Sequence, residues 1–287
     1  MTRLVGELGL TLFSDPLAVA VALVASATAG CLIGSFLNVV IWRVPEHISI
    51  FNPKRSFCPK CNAQIKAYDN IPIISYMILR GKCRSCSEKI SVRYPLVEAL
   101  TGTMFLAVTY GAAKNAYPTP IIWNLYFLAA ISVVIAFIDI DKHLILNVIV
   151  YPSFIISLIL IAIATFQTVS NGENWTRLFN SLLCAVILGV AYFVLAIAWP
   201  GGMGFGDVKL AFVLGLTTGW LGWGQFAVGA FSAFLIGGLV SVILMLSKKV
   251  SIKGGIPFGP SMLAGAWTGI FAGEPIAHAY LQIAGLG

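Results

Sequence analysis

An aspartate lies in a glycine-rich turn between two apolar segments of this sequence. Residues 204–209 read Gly-Phe-Gly-Asp-Val-Lys, and they follow an apolar run that ends at Trp199-Pro200. A carboxylate at the edge of a membrane-spanning segment is costly, so it usually has a function or a partner. The glycines on both sides indicate a tight bend or a close approach of another group. Asp207 is therefore a candidate catalytic acid.

A second pair of acids, Asp139 and Asp141, ends another apolar run. Two carboxylates that share one proton can hydrolyse an amide, because one takes a proton from water while the other donates to the substrate carbonyl. On a helix, residues two positions apart face different ways, so spacing alone does not decide which acid meets Asp207. The alternative is that each acid is only a helix cap, or an interfacial charge paired with Lys142 or Lys209.

Four cysteines form two Cys-x-x-Cys pairs, Cys58 with Cys61 and Cys83 with Cys86. Each pair brings two sulfurs around one tight turn, and two pairs supply the tetrahedral site that zinc prefers. All four ligands come from the protein, which leaves no open position for catalysis. We therefore interpret the zinc as a structural staple for an insert too small to have a good hydrophobic core.

The composition indicates the fold class. The chain has 287 residues, of which 59% are hydrophobic and only 10% charged, and its mean hydropathy is +0.91. Several runs reach the ~20 residues that cross a bilayer as a helix, and they lack the alternation of barrel strands. We predict an all-α polytopic membrane protein with about eight transmembrane helices. The predicted spans are 16–42, 95–113, 120–138, 146–167, 177–199, 208–222, 225–247 and 257–284; the sixth is short, and the eighth carries two polar residues, Glu274 and His278.

The distribution of charge predicts the orientation. The segment from Val44 to Tyr94 holds nine of the Lys and Arg residues and three acids. Loops rich in Lys and Arg stay cytoplasmic, whereas nucleic-acid binding is not expected because clustered aromatic residues for stacking are missing. Counting spans from this loop places the N-terminus in the periplasm and both aspartate motifs at the cytoplasmic face. Three lysines of the last loop fall on the same side as an independent check: Lys248, Lys249 and Lys253.

The domain organisation follows from these segments. Residues 1–42 contain the first transmembrane helix, 43–94 form a cytoplasmic zinc-binding insert, and 95–287 form the transmembrane core that carries the acids.

In its ordered motifs the sequence resembles the bacterial type IV prepilin peptidases, which belong to the Gly-x-Gly-Asp aspartyl proteases. The resemblance covers most of the chain. The matching stretches are 34–45 (Gly-Ser-Phe-Leu-Asn-Val-Val-Ile-Trp-Arg-Val-Pro), 58–61, 70–75 (Asn-Ile-Pro-Ile-Ile-Ser), 79–86 (Leu-Arg-Gly-Lys-Cys-Arg-Ser-Cys), 90–98 (Ile-Ser-Val-Arg-Tyr-Pro-Leu-Val-Glu), 139–141, 202–209 and 257–260 (Pro-Phe-Gly-Pro).

The resemblance implies a bifunctional enzyme of the bacterial inner membrane. Its members cleave the basic leader of type IV prepilins and pseudopilins after a glycine, and then methylate the new N-terminal residue with S-adenosylmethionine. It also implies that the catalytic acids are Asp207 and Asp139 rather than Asp141. The sequence departs from the family at Leu146, where a proline is usual.

The resemblance also suggests residues around the two activities. Candidates for the methyl donor, by motif alone, are Asn38, Arg43, Arg80, Arg93 and Glu98; lipid contact or helix packing is the alternative for each. Candidates for supporting the active site are Gly204, Gly206, Lys209, Pro257 and Gly259, although 257–260 could instead be a simple helix entry. Two other functions stay open: a peptidase without methylation, and a transporter whose intramembrane acids relay protons.

Overall fold

The computed structural model describes residues 15–52, 56–170, 172, 175–198, 203–247 and 257–285. The lysines used to check the orientation, Lys248, Lys249 and Lys253, lie outside these residues. So do residues 1–14 and the beginning of the 202–209 motif.

The described part of the chain has nine α-helices, eight long and one short, and a 3-10 turn at Ala67–Asn70. The helices are α1 (Pro16–Arg43), α2 (Ile74–Ile78, five residues), α3 (Arg93–Asn115), α4 (Thr119–Lys142), α5 (Asn147–Ser170), α6 (Thr176–Ala198), α7 (Phe205–Leu221), α8 (Trp223–Leu246) and α9 (Gly259–Ile283). The prediction of an all-α membrane protein with about eight long helices and a small cysteine-bearing insert after the first is confirmed.

Six of these helices are long and apolar enough to cross a membrane, namely α1, α3, α4, α5, α6 and α8. The other two long helices are α7, which is short, and α9, which carries the polar residues Glu274 and His278. Helix α7 has only 17 residues, of which 12 are buried. Helix α7 packs against α5, α6, α8 and α9. Because these helices surround it with protein, α7 need not be long enough to cross the hydrocarbon layer by itself.

The chain divides into two compact units, Met1–Val134 and Ile135–Gly287, with the boundary inside α4. In the first unit α1 packs on α3 through small residues. A Cβ on Gly34 would lie 2.7 Å from the Cα of Glu98, and one on Gly30 would lie 2.8 Å from the Cα of Gly102. Such close backbone approach is how membrane helices associate without a hydrophobic driving force.

The second unit is built around α7 in the same way. Cβ atoms on Gly215 and Gly219 would come within 2.6 Å and 2.5 Å of atoms of Cys184 in α6. Helices α8 and α9 approach through Gly265 and Gly269. This tight packing fixes α7, whose first turn carries Asp207. The predicted division into first helix (1–42), insert (43–94) and core (95–287) describes functional parts and not compact units, and it stays a prediction.

Candidate active site and metal centre

Asp207 lies in the first turn of α7, where the backbone itself holds its carboxylate. Gly204 precedes the helix as its N-cap, and its N–H donates a 2.9 Å hydrogen bond to Oδ2 of Asp207. The N–H of Asp207 in turn donates to the carbonyl of Gly204 over 3.1 Å. This reciprocal arrangement satisfies two backbone groups that a helix start leaves open. Asp207 is only 8% exposed, so its position is fixed.

Asp139 lies in the last turn of α4, which continues four residues beyond the predicted end at 138. Its side chain is buried, whereas that of Asp141 is exposed. Oδ2 of Asp139 accepts a 3.0 Å hydrogen bond from the N–H of Gly259 at the start of α9. The helix therefore turns the first aspartate inward and the second outward, as spacing of two residues on a helix requires.

The structure brings Asp139 and Asp207 together. Their carboxylates lie close enough to interact electrostatically, although they come from different helices. Each carboxylate has its Oδ2 atom held by the N–H of a glycine, Gly259 in one case and Gly204 in the other. Fixed hydrogen-bond donors of this kind hold reacting groups in place before the substrate binds.

Three of the candidate support residues are glycines, and they differ in how much space surrounds them. A Cβ on Gly206 would lie 2.7 Å from the Cβ of Ile145, and one on Gly259 would lie 2.6 Å from Oδ2 of Asp139. Around Gly204 the nearest atom, Oδ2 of Asp207, would be 3.5 Å away, an ordinary contact. Close packing therefore constrains Gly206 and Gly259, and it leaves room for a side chain at Gly204.

Lys209 points to the beginning of α5. Its Nζ donates a 2.8 Å hydrogen bond to Oδ1 of Asn147 and lies 5.2 Å from the ring centre of Tyr151. This contact links the first turns of α7 and α5. The sequence reasoning missed Asn147 as a partner. Its only signal was its place after Leu146, in the segment that departs from the family pattern.

The last candidate, Pro257, precedes an aromatic cluster. Phe258 lies 6.1 Å from the ring of Tyr192 and 5.6 Å from that of Phe234, which in turn stand 5.4 Å apart. Tyr192 is buried and interacts electrostatically with Asp207. The cluster holds the entry of α9, and hence Gly259, against α6 and α8. A single tyrosine within an apolar run gives no signal of this role in the sequence.

The four cysteines form one cluster. Their Sγ atoms all lie within 4.8 Å of one another, and those of Cys58 and Cys86 are 3.8 Å apart. Backbone N–H groups of Cys61 and Lys60 lower the pKa of the Cys58 thiol to about 7, which favours the thiolate that binds metal. The donor set and its compactness fit a tetrahedral zinc ion.

Ion pairs support the metal cluster from outside. Lys60, between the first two cysteines, pairs with Glu88, just after the last one. Arg84, between the last two cysteines, binds Asp69 through both Nε and an Nη atom. The Arg84 guanidinium lowers the pKa of the Asp69 carboxyl below its ordinary value. The Lys60–Glu88 pair thus joins the two cysteine pairs by charge.

Three of the methyl-donor candidates lie in the first unit with their polar atoms engaged by the backbone. Nδ2 of Asn38 donates to the carbonyl of Tyr94 over 3.2 Å. An Nη of Arg43 donates to the carbonyl of Ser49 over 3.0 Å. Oε2 of buried Glu98 accepts a 2.7 Å bond from the N–H of Ile73. These contacts stabilise the ends of the insert.

The other two candidates lie at the ends of short segments of the insert. Arg80 is exposed and has a φ of 51°, and Arg93 begins α3 with its side chain partly buried. The structure places Arg80 just after α2 and Arg93 at the start of α3.

Together the fold and the site define a multi-pass membrane protein with a buried pair of aspartates and a separate four-cysteine centre. Two family models match the chain: the bacterial peptidase A24 N-terminal domain at residues 28–112, and the type IV leader peptidase family at residues 126–246. The first contains the cysteines, and the second contains both aspartates. The chain belongs to the type IV leader peptidase family.

Curated relatives extend this match over most of the chain. A protein of Aeromonas hydrophila is 33% identical over 87% of this chain and 90% of its own length. One of Neisseria gonorrhoeae is 34% identical over 88% and 92%, and one of Bacillus subtilis is 30% identical over 89% and 96%. All three are named prepilin leader peptidase/N-methyltransferase. No solved structure matches the chain.

Proposed function

We propose that this protein cleaves the leader peptides of type IV prepilins and pseudopilins and then methylates the new N-terminal residue. The main support for this proposal is the buried pair Asp139 and Asp207. Their carboxylates interact, and each accepts a hydrogen bond from the N–H of a glycine. The names of the relatives support the same activities. They do not favour the transporter alternative.

The aspartate pair supplies the chemistry of cleavage. One carboxylate takes a proton from a water molecule, whose oxygen attacks the carbonyl carbon of the residue before the cut. The other, protonated, donates to the carbonyl oxygen, and a tetrahedral intermediate forms. When this collapses the C–N bond breaks, and the amine leaves with a proton from the pair. Neither a metal ion nor a covalent enzyme intermediate takes part in these steps.

The geometry suits a substrate that enters along the membrane. The backbone holds Oδ2 of each acid, so Oδ1 is the oxygen of each that these two hydrogen bonds leave for the reaction. A glycine before the cut allows an extended substrate backbone to approach the pair closely. The apolar helix of a prepilin would pack between helices through small residues, while its basic leader stays on the cytoplasmic side.

Two cofactors belong to this proposal. Zinc bound by Cys58, Cys61, Cys83 and Cys86 holds the insert together. S-adenosylmethionine, when bound, supplies the methyl group that the new terminal amine accepts. Because the polar atoms of Asn38 and Glu98 already bond the backbone, these two side chains fit a structural role better than a cofactor site.

The location is part of the same proposal. The enzyme lies in the bacterial inner membrane with a periplasmic N-terminus, and both the insert and the aspartate pair lie at the cytoplasmic face. The excess of basic residues in the insert supports this orientation.

The test uses isosteric variants in a prepilin processing assay with purified enzyme. Asp139→Asn and Asp207→Asn keep an oxygen that accepts from Gly259 or Gly204, so the fold is retained while the proton chemistry is lost. We expect cleavage to disappear in both. Asp141→Asn, at the exposed acid two residues on, is the control and should cleave normally. Normal processing by either of the first two variants would overturn the assignment of the pair.

A further inference from the structure

The short helix α2 presents an apolar face to its surroundings although it lies in the insert, outside the long helices. Ile74, Met77 and Ile78 are 54%, 70% and 69% exposed, and their spacing of three and four residues places them on one side of the helix. Ser75 lies on another side of the helix, where it is buried and donates a hydrogen bond to the carbonyl of Tyr68. An exposed apolar face of this kind marks an interaction surface.

One hydrogen bond ties the start of α2 to α3, a helix that is long and apolar enough to cross a membrane. The N–H of Ile73, immediately before α2, donates to Glu98, and Glu98 is the sixth residue of the membrane-spanning helix α3. Five residues of helix correspond to about 8 Å, which is about the thickness of the interfacial layer on one side of a bilayer. With Arg93 at the outer edge of that layer, the start of α2 lies at the level of the membrane interface.

The contact with Glu98 requires a strained backbone conformation at Ile73. Ile73 has a φ of 61°, a region that β-branched residues rarely adopt. Strain of this type persists only where the surrounding contacts impose it. Here the buried carboxylate of Glu98 and the first turn of α2 impose it, so the position of α2 against α3 is specific.

The charges beside α2 indicate what covers the face. Lys82 and Lys89 lie directly opposite each other in an isolated antiparallel bridge, so their side chains project from the same side, and both are exposed. Like charges at opposing positions destabilise a bridge, and an anionic partner between them removes that cost. Lys82 follows α2 by four residues, and Lys89 precedes α3 by four.

We propose that α2 is an interfacial anchor: its face of Ile74, Met77 and Ile78 inserts into the acyl boundary of the bilayer, and Lys82 and Lys89 bind the phosphates of anionic phospholipids. An apolar face flanked by lysines is the pattern of helices that lie in the membrane plane. Both ends of the insert continue into membrane helices. The insert is therefore always close to the bilayer, and its apolar face does not have to bind lipid from solution. The anchor would hold the four-cysteine centre against the membrane surface.

The experiment places a diazirine analogue of methionine at position 77 in the full-length protein. The protein is reconstituted into nanodiscs of phosphatidylethanolamine and phosphatidylglycerol, irradiated, and analysed by mass spectrometry for lipid adducts. The matched control carries the same analogue at Ser85, an exposed residue of the second cysteine pair. We expect several-fold more lipid adduct at position 77 than at position 85.

The charge contribution has its own comparison. The double substitution Lys82→Gln and Lys89→Gln, or nanodiscs of phosphatidylcholine alone, should lower the adduct yield at position 77 several-fold, while bound metal per chain stays unchanged. The proposal is overturned if position 77 gives no more lipid adduct than position 85. Adducts to a second copy of the chain or to an added prepilin in place of lipid would also overturn it. A yield insensitive to both charge changes would overturn the phosphate contact.

Discussion

The backbone N–H of Gly259 donates a 3.0 Å hydrogen bond to Oδ2 of Asp139, across 120 positions of sequence. This contact ties the start of α9 to the end of α4, and it can form only because Gly259 has no side chain. The glycine of the 257–260 motif therefore has a specific role: it brings a hydrogen-bond donor directly against one of the two acids.

The first prediction concerns Gly259→Ala. The added Cβ would lie 2.6 Å from the carboxylate oxygen of Asp139, so the carboxylate or the helix start must move. A displacement of about 1 Å at a reacting group lowers rates by about 100-fold, and we expect a loss of cleavage of that order, measured as prepilin turnover at saturating substrate.

The control for this substitution is Gly238→Ala in α8. No heavy atom lies within 4 Å of a Cβ at that position. The same chemical change there should leave turnover unchanged, and it favours the helix because alanine exceeds glycine by about 1 kcal/mol in helix propensity. Equal activity of the two variants would contradict the role of Gly259.

The second prediction separates the two glycines before Asp207. Gly206→Ala and Gly206→Val place a Cβ 2.7 Å from the Cβ of Ile145, and cleavage should be lost in the valine variant with the fold retained. Gly204→Ala meets only an ordinary 3.5 Å contact, and its φ of −87° suits any residue, so it should stay active. Thermal unfolding of each purified variant checks the fold.

A double substitution tests the cause of the Gly206 effect. Ile145→Gly removes the Cβ that Gly206→Ala would strike and leaves only contacts of 3.4 Å or more, so the pair should recover part of the activity that Gly206→Ala loses alone. Such non-additivity is expected for residues in direct contact. A double variant as inactive as the single one would place the cause elsewhere.

Much of the fold could be read from the sequence, because apolar runs of membrane length and paired cysteines depend on local spacing. The choice of Asp139 over Asp141 needed the family resemblance, since the predicted span stopped at 138. In the structure α4 continues to Lys142, and helix geometry then turns Asp139 inward. The bond between Lys209 and Asn147 joins positions 62 apart, and no local pattern encodes such a pairing.

The third prediction addresses that bond. Lys209→Met and Asn147→Leu each remove one partner of the 2.8 Å contact, and each should lower cleavage to a similar, moderate extent. A hydrogen bond to a charged group contributes about 1.5–3 kcal/mol when buried, and less here because the contact is exposed. The double variant should be no worse than either single variant, measured as turnover in the same assay. Fully additive losses would show that the two residues act separately.

The fourth prediction concerns metal. The purified protein should hold one zinc ion per chain, since the four Sγ atoms lie within 4.8 Å of one another. Cys61→Ser should lose most of that zinc, whereas Cys184→Ala, at a cysteine buried in α6, should keep it. Elemental analysis of the purified variants measures both. Equal zinc contents in the two variants would contradict the assignment of the four cysteines as the zinc site.

The fifth prediction follows from the pairing of Asp69 with Arg84. The guanidinium lowers the pKa of Asp69 in the folded insert, so the folded state binds its proton less readily than the unfolded chain does. The stability from this pair is therefore fully present above the ordinary pKa of an aspartate, about 3.9, and is lost as pH falls through the lower folded value. Hydrogen exchange of residues 67–90 at several pH values measures it.

Asp69→Asn isolates this contribution from the protonation of the cysteines, which weakens metal binding at low pH in both proteins. At neutral pH the variant should exchange faster in 67–90 than the natural protein, because Arg84 has lost its carboxylate. As pH falls below about 4 the two exchange profiles should converge, since protonated Asp69 then resembles asparagine. A difference that stays constant across this range would mean that Asp69 acts through its shape and not through its charge.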